Sequence, residues 1–301
     1  MNIKEFFAKG WPTRIGFYLG KYLPPRSARF FAGIAARLLV ILKPAIYHAV
    51  YDNQRHVLGP ETDRKTIHCS VYRVFFNAAR GYYELFHNVG HGRTRVEQFS
   101  PPVRITPDGL HNLQTALDSG RGLFCLGCHT ANFDLGGIAF SQQFSFSAMV
   151  LSAANPPPSF EFFNRLRAQG GAILTPVSPT ALREAIHLLQ TGGVVITGIE
   201  RPVPQGNEPV TFFGETAYLP TGYMRLALRT DCLVLTLATL FEDGAYHIHI
   251  NPAMELLRTG DKAEDVRINV QRVLAQMEDF IRHDPAQWLM FLPVWKRENV
   301  E

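Results

Sequence analysis

The 301-residue sequence predicts one α/β domain, with a mostly parallel central sheet flanked by helices and a basic amphipathic helical segment at its N-terminus. Three observations support this prediction. Short apolar runs alternate with helical patterns after residue 108, basic residues are concentrated in the first 60 positions, and polar groups directly follow two of the apolar runs. Alternation of this kind is typical of parallel strands that helices cover on both faces.

The composition is that of a globular protein. Hydrophobic residues make up 46% and charged residues 19% of the chain, which excludes a disordered tail, a collagen-like rod and a coiled coil. Four cysteines are too few for a secreted disulfide scaffold, and the first 17 residues contain no apolar run of the length that a signal peptide requires. We therefore expect a reducing, cytoplasmic compartment.

Residues 1–60 differ from the rest of the chain in charge. They hold nine basic and two acidic residues, a net charge of +7, whereas the whole chain carries +4. The segment is also rich in Phe, Tyr, Leu and Ile, but its longest uncharged stretch after Arg14 is eight residues, and a transmembrane helix needs about 20 apolar residues. We predict that residues 1–60 lie on an anionic membrane surface and that an α/β domain follows at 61–301. The alternative is an ordinary amphipathic helix packed on that domain.

The apolar pattern also predicts the individual elements. Helical spacing fills residues 27–50 and 65–89, and Asn88 to Gly92 predicts the end of the second helix. The predicted strands are Gly122–Cys128, Phe146–Leu151, Ala172–Val177, Gly193–Ile199, Cys232–Leu240 and Ala245–Asn251. The other predicted helices are Ser159–Gln169, Pro179–Gln190, Pro220–Thr230 and Lys262–His283, and Glu242 to Gly244 is predicted to join the last two strands.

Two predicted strands end in groups that could act on a ligand. Ligands gather at the carboxyl ends of the strands in an open α/β sheet. The first strand runs into His129, followed by Asn132 and Asp134, and the fourth ends at Glu200 and Arg201. We therefore expect the functional site at this edge of the sheet.

His129 is predicted to be a general base that Asp134 orients. A sharp turn at residues 130–132 would let the Asp134 carboxylate accept a hydrogen bond from one ring nitrogen, which leaves the other nitrogen to take a proton from a hydroxyl. Free backbone N–H groups at the start of the next helix complete the parts needed for acyl transfer. The alternative is that His129 caps the helix and that Asp134 interacts only with the helix dipole.

Other motifs do not fit their context. Cys125 to His129 matches the C-x-x-C-H string of c-type haem attachment, but both cysteines fall in an apolar strand and no export signal precedes them. His247 and His249 share one strand face without a third ligand nearby, so we predict no metal site. Gly-rich phosphate loops are absent from the sequence, and we expect no nucleic acid partner.

Several segments together resemble the lysophospholipid acyltransferase superfamily. The resemblance is to its lipid A late-acyltransferase (lauroyl/myristoyl) branch, which includes the mycobacterial phosphatidylinositol mannoside acyltransferases. His129 and Asp134 match the family's H-x4-D/E motif after a buried strand. The matching segments, in the family's order and approximate spacing, are Gly120–Asp134, Arg167 near Gly170–Gly171, Gly192–Arg201, Val210–Gly214, Leu219–Ala227 and Pro285–Trp288.

The resemblance implies an acyltransferase that acts on the cytoplasmic face of the inner membrane as a peripheral protein. It would move a fatty acyl chain from a thioester, on acyl carrier protein or coenzyme A, to a hydroxyl or amine of a lipid or glycolipid. No cofactor and no covalent acyl-enzyme would be required, and an apolar pocket would set the acyl chain length.

The resemblance also implies roles for the polar residues. His129 would be the general base that Asp134 orients, and Glu200 would position the acceptor. Arg167, with Arg165 as a close rival, would balance negative charge on the donor phosphate or on the oxyanion. Two further residues, Arg201 and Asn132, complete the predicted substrate-binding set.

Two departures from the family leave the acceptor open. Lipid A enzymes usually begin with a membrane-spanning helix, whereas residues 1–60 show only an interfacial pattern, and residues 288–297 lack the family's more strongly basic ending. A phosphoglycolipid, an aminolipid or a secondary metabolite is a possible acceptor. A non-catalytic lipid-binding or membrane-adaptor protein on the same fold is the alternative function; a hydrolase is disfavoured because no Ser occupies a G-x-S-x-G elbow.

Overall fold

A seven-stranded sheet forms the centre of the molecule. The structure is a computed structural model that describes residues 11–143, 148–154 and 158–295. Its strands are β1 (Val103–Ile105), β2 (Leu123–Cys128), β3 (Met149–Ser152), β4 (Leu174–Pro176), β5 (Val194–Gly198), β6 (Asn207–Phe212), β7 (Glu215–Pro220), β8 (Leu233–Glu242) and β9 (Ala245–Ile250). The order in the sheet is β1-β9-β8-β2-β5-β3-β4, and only the β8–β9 pair is antiparallel. Strands β6 and β7 form a separate antiparallel hairpin.

Helices surround the sheet. They are α1 (Trp11–Tyr22), α2 (Pro25–Leu42), α3 (Ala45–Leu58), α4 (Arg64–Gly90), α5 (Pro107–Asp118), α6 (Phe133–Ser141), α7 (Pro158–Gln169), α8 (Pro179–Gln190), α9 (Gly222–Ala227) and α10 (Lys262–His283). Short 3-10 turns lie at Val96–Gln98 and Pro285–Gln287. This architecture confirms the predicted α/β class with a mostly parallel sheet.

The central strand β2 is buried on both faces. Leu123 and Cys125 point into one hydrophobic cluster, whereas Phe124 and Leu126 point into another on the opposite side of the sheet. Successive side chains of a strand alternate between its faces, so a strand covered on both sides must be apolar at every position. This explains why the segment appears in the sequence as a continuous apolar run.

The structure differs from the sequence prediction at the N-terminal helices. The predicted helix 27–50 is two helices, α2 and α3, which are bent by 91°. Lys43 caps α2 in the left-handed region with a φ of 45°, and Pro44 follows it. A proline cannot donate the backbone hydrogen bond that would continue the helix, so the chain turns here.

The strand predictions also need correction. The pattern missed β1 and the β6–β7 hairpin, which are short or carry polar residues on exposed faces. The second predicted strand begins at Met149 in the structure, and its first two residues, 146 and 147, lie outside the described residues. The segment between β8 and β9 is a tight turn in which Asp243 (φ 47°) and Gly244 (φ 82°) are both left-handed, and this geometry makes the pair antiparallel.

Helices α1 and α2 present large apolar side chains to solvent. Ala28, Ala32 and Ala36 of α2 are buried. The exposed side chains on the two helices are Ile15, Tyr18, Leu19, Tyr22, Phe30, Phe31, Ile34, Leu38, Ile41 and Leu42. Among the described residues, no single helix is long and apolar enough to cross a membrane. Helices α2 and α3 pass that test, by length and composition, only when they are taken together.

Helix α6, which begins just after the predicted site, packs tightly on the sheet through a glycine. A Cβ atom added at Gly136 would lie 2.9 Å from Cβ of the buried Thr239 in β8 and closer still to its hydroxyl oxygen. A Cβ atom added at the next residue, Gly137, would have no heavy atom within 4 Å outside its own helix backbone and chain neighbours. The two neighbouring glycines therefore offer a matched test of this packing.

We expect Gly136→Ala to lower the free energy of unfolding by about 1–3 kcal/mol, because the added methyl group overpacks the contact between α6 and β8. Gly137→Ala should be neutral or raise it by up to about 1 kcal/mol, because alanine favours the helix and the site has room. Urea denaturation of both variants measures the difference. Equal effects at the two positions would contradict the close approach.

Candidate active site

The register of two parallel strands brings His129 and Glu200 together. Strands β2 and β5 are neighbours, and Gly127 lies opposite Gly198. His129 and Glu200 each follow these glycines by two residues, so both leave the carboxyl edge of the sheet side by side. A paired histidine and carboxylate therefore lie at the edge of the sheet where we expected the site.

The chain turns sharply after His129. Ala131 adopts a left-handed conformation with a φ of 45°, and its N–H donates to the carbonyl of Gln287 over 2.7 Å. The carbonyl of His129 accepts a hydrogen bond from the N–H of Leu289 over 2.9 Å. The segment that follows α10 therefore holds the turn in place from outside the sheet.

Glu200 is the carboxylate that binds the imidazole ring. Its Oε1 atom accepts hydrogen bonds from the backbone N–H of His129 over 2.5 Å and lies 2.9 Å from Nδ1 of the ring. The indole Nε1 of Trp288 donates to the same oxygen over 3.4 Å. Glu200 is fully buried. This corrects the sequence prediction, which gave the orienting role to Asp134 and the acceptor-positioning role to Glu200.

The pKa of Glu200 lies below its ordinary value. Burial opposes ionisation, but the charge and hydrogen bonds of His129 outweigh that penalty and favour the carboxylate. Glu200 is therefore ionised at neutral pH and accepts a hydrogen bond from Nδ1–H of the ring. This assignment places the lone pair of the neutral imidazole on Nε2.

The outer nitrogen of His129 is left free to act. Nε2 forms no hydrogen bond to any residue that the structure describes, and the side chain is 19% exposed. The ring lies edge-on to Phe133, with 5.0 Å between ring centroids. The ring also lies close to Gly198, where an added Cβ would be 2.5 Å from Cε1 and 3.0 Å from Nε2. His129 thus packs against Phe133 and Gly198 and is accessible to a ligand.

Asp134 forms a separate ion pair with Arg167. Its Oδ1 atom lies 2.6 Å from both Nε and Nη2 of Arg167, and both side chains are buried. The guanidinium also donates to Asn164 over 3.1 Å and lies over the rings of Phe160 and Phe163. Asp134 points to α7 because this cation is there, so its charge is neutralised away from His129.

The two candidate arginines on α7 differ in their contacts. The guanidinium of Arg167 binds Asp134 and Asn164. The rival, Arg165, is exposed and lies 4.0 Å from Glu161 on the surface of α7. The role of either arginine at a donor phosphate stays a prediction.

Asn132 and Arg201 have different environments. The Asn132 side chain is buried, caps α6 by accepting from the N–H of Leu135 and donates to the carbonyl of Gly81. Both ends of the amide are thus used within the fold, which corrects its predicted substrate contact. Arg201 is exposed next to Glu200 and forms no ion pair with a described residue, so its predicted substrate contact stays a prediction.

Several groups at the site were missed by sequence reasoning. Gly198 and Trp288 contact the His129–Glu200 pair, and the hydroxyl of Tyr223 is buried without a hydrogen-bond partner among the described residues. Burial raises the pKa of Tyr223, and the negative charge of Glu200 raises it further. The register between β2 and β5 could have identified Gly198, but no local pattern places Trp288 or Tyr223 beside Glu200.

The described residues do not support the other chemistries considered. They contain no cluster of three or more His, Cys, Asp or Glu side chains with the geometry of a metal site. Burial raises the pKa of both Cys125 and Cys128, and the nearby Glu200 carboxylate raises that of Cys128 further, so both remain thiols. Two cavities, of about 590 Å³ and about 90 Å³, are lined by residues other than His129 and Glu200.

The structure is an α/β sheet with a histidine–carboxylate pair at the ends of two central parallel strands, whereas the resemblance implied a pair of His129 and Asp134. The family model described as bacterial lipid A biosynthesis acyltransferase matches residues 8–297. The chain therefore belongs to this family.

Individual relatives agree with that assignment. A phosphatidylinositol mannoside acyltransferase from Mycobacterium tuberculosis is 26% identical over 190 residues, which is 62% of this chain and 58% of the relative. One from Mycolicibacterium smegmatis is 24% identical, over 62% of this chain and 60% of the relative. The aligned segment thus spans somewhat more than half the length of these curated relatives.

A solved structure is more distant. The 1-acyl-sn-glycerophosphate acyltransferase PlsC from Thermotoga maritima matches 84% of this chain and 97% of its own, with 15% sequence identity and a TM-score of 0.36.

We expect Gly198→Ala to displace the imidazole ring of His129. The new Cβ would overlap the ring, and relief of that overlap should break the Nδ1 hydrogen bond to Glu200 and lower the free energy of unfolding by about 1–3 kcal/mol. The matched variant is Gly127→Ala on the neighbouring strand, where the nearest atom would be 3.7 Å away. Imidazole 15N spectra and denaturation of both variants measure the effect. An unchanged His129 signal in Gly198→Ala would contradict the packing.

Proposed function

We propose that this protein transfers a fatty acyl group from a thioester to a hydroxyl or amine of a lipid or glycolipid. The observation that supports the proposal most directly is the 2.9 Å contact between His129 Nδ1 and Glu200, which leaves Nε2 as a proton acceptor. Family membership supports acyl transfer, and the names of the mycobacterial relatives support a glycolipid acceptor.

The reaction uses His129 twice. Nε2 takes the proton of the acceptor hydroxyl as the acceptor oxygen forms a bond to the thioester carbonyl carbon. The carbon–sulfur bond then breaks, and the leaving thiolate takes the proton back from the imidazolium. The buried carboxylate of Glu200, 2.9 Å from Nδ1, attracts the positive charge that the ring carries between these two steps.

The donor is an acyl thioester of coenzyme A or of acyl carrier protein, and no further cofactor is required. Both carriers present the thioester on an arm that bears phosphate. Arg201 follows Glu200 at the same strand end, is exposed, and forms no ion pair with a described residue. A free guanidinium in this position suits a donor phosphate.

Asp134 and Arg167 act as a positioning pair. Asp134 lies in the first turn of α6 and Arg167 in the last turn of α7. Their ion pair therefore fixes the beginning of the helix that carries Phe133 against the imidazole ring. A buried pair of this kind is destabilising when only one partner is removed.

The protein binds the cytoplasmic face of the inner membrane as a peripheral protein through α1 and α2. Ten large apolar side chains on these helices are exposed, a concentration that marks a membrane or protein interaction site. Basic side chains accompany them on α2, as at Arg26, Arg29 and Arg37. Apolar and basic residues on one helix suit the interface of an anionic bilayer.

We expect His129→Ala and Glu200→Gln each to lower kcat for acyl transfer by about 100-fold or more, because one removes the base and the other removes the charge that stabilises its protonated form. The matched control is Glu278→Gln, a second buried glutamate that accepts a backbone N–H and pairs with Arg282. The assay is acceptor-dependent release of thiol from palmitoyl-coenzyme A or acyl carrier protein thioester. Full turnover by folded Glu200→Gln would contradict the assigned role, and no thiol release by the wild type would favour an adaptor protein.

Asp134→Asn separates positioning from catalysis. Because it leaves Arg167 buried without its counter-charge, we expect a loss of about 3–5 kcal/mol in the free energy of unfolding. Turnover of the fraction that remains folded at low temperature should fall less than in Glu200→Gln. A stable Asp134→Asn variant with the larger loss of kcat would instead support the pairing that the sequence predicted.

Membrane binding is tested by Leu38→Ser on α2. Leu38 is 50% exposed, and burial of its side chain in a bilayer is worth about 1.5–3 kcal/mol, so the variant should bind vesicles about tenfold or more weakly. The matched control is Leu110→Ser on α5, where the leucine is 51% exposed outside this face. Co-sedimentation with phosphatidylglycerol-containing vesicles measures both. Equal losses at the two positions would contradict a docking role for α2.

A further inference from the structure

A small cavity lies between α2 and α4, apart from the His129–Glu200 pair. Its volume is about 90 Å³, comparable to that of a phosphate group. The residues on which the argument depends are Arg29, Arg80, Tyr83, Glu84, His87 and Ser100. Neither acyl transfer nor the predicted site residues use this cavity.

Two guanidinium groups give the cavity positive charge. Arg29 and Arg80 form no ion pair with any residue that the structure describes. Arg80 lies over the ring of Phe241, 3.9 Å from its centroid, and its Nε atom is buried without a hydrogen-bond acceptor among the described residues. A buried N–H donor without a partner costs free energy.

The other titratable groups leave the cavity with an excess of positive charge. Glu84 is buried, its Oε2 accepts a hydrogen bond from Tyr246, and burial raises its pKa above the ordinary value. His87 lies 3.0 Å from the carbonyl of Gly20 through Nδ1, and burial lowers its pKa, so it adds no charge at neutral pH. Tyr83 donates its hydroxyl proton to the carbonyl of Leu23. One carboxylate therefore faces two guanidinium groups.

The arrangement of α2 places this cavity beside the membrane-facing side of the helix. Successive residues of an α-helix are about 100° apart around its axis. Ala28, Ala32 and Ala36 face α4, and Arg29 lies on one flank of that buried stripe. Exposed apolar side chains, including Phe30 and Ile34, lie farther round the same helix. When these apolar side chains enter the acyl region of a bilayer, Arg29 is at the depth of the lipid headgroups.

We propose that this cavity binds the phosphate group of an anionic glycerophospholipid, held by Arg29 and Arg80. The two guanidinium groups supply charge-assisted donors to phosphate oxygens. The lipid is a membrane ligand and not the acyl acceptor. The inference rests on the proposed membrane docking of α1 and α2, because the aromatic residues of α2 place the cavity at the headgroup layer.

The test compares three arginine variants. Arg29→Gln and Arg80→Gln remove cavity cations, whereas Arg37→Gln removes an exposed cation of α2 that does not line the cavity. With vesicles of phosphatidylcholine and phosphatidylglycerol, Arg37→Gln should bind about fivefold more weakly through lost surface attraction. The two cavity variants should lose about tenfold to thirtyfold. Vesicles of pure phosphatidylcholine should bind all four proteins equally.

Soluble probes identify the source of the phosphate. Monomeric dihexanoylphosphatidylglycerol should bind the wild type in calorimetric titration and bind Arg80→Gln at least tenfold more weakly, while inorganic phosphate should bind much more weakly than the lipid. Equal binding of inorganic phosphate would overturn the lipid assignment. Losses in the cavity variants no larger than in Arg37→Gln, with circular dichroism showing them folded, would overturn the site itself.

The outcome is distinguishable from failure of the proposed function. Acyl transfer by the wild-type protein to a detergent-dispersed acceptor needs no bilayer, so it tests the proposed function independently of the cavity. Wild-type protein that binds neither kind of vesicle would remove the membrane docking on which the inference rests. Wild-type protein that binds both kinds equally would remove only the phosphate site.

Discussion

The buried carboxylate of Glu200 is the constraint on which the site depends. A carboxylate removed from water is destabilising unless hydrogen-bond donors and a cation surround it. Here the donors come from His129, through its backbone and its ring, and from Trp288. His129 lies at the end of β2 and Trp288 in the segment after α10. The Glu200 carboxylate therefore receives its hydrogen bonds only when these distant parts of the chain meet. The same requirement fixes the orientation of the imidazole ring.

The two acidic residues near His129 therefore serve different purposes. Asp134 is neutralised by Arg167 within the contact between α6 and α7, whereas Glu200 forms no ion pair with any described residue other than His129. The chain turns between His129 and Asp134, where Ala131 takes the left-handed conformation. After this turn Asp134 points to Arg167 on the neighbouring helix α7.

The sequence predicted the strands better than it predicted the hydrogen-bond partners of the polar residues that follow them. Apolar runs located β2 and β5 because both strands are buried on both faces, and this placed His129 and Glu200 at one edge. Their pairing depends on strand order and register, which composition does not encode. The same holds for Trp288, which is 88 residues from Glu200 in sequence. The break at Pro44 was visible as a proline, but helical spacing on both sides concealed it.

The helices proposed to face the membrane and the His129–Glu200 pair are connected by direct packing. Phe17 of α1 lies edge-on to Phe162 of α7, with 5.6 Å between ring centroids, and α7 also holds Arg167. Arg167 in turn fixes Asp134 at the start of α6. In the proposed reaction an amphiphilic acceptor keeps its chains in the bilayer, so its hydroxyl would reach His129 only from a defined height of the site above the lipid. Because α1 packs against the helix that positions α6, the proposed docking of the exposed apolar face would also set that height.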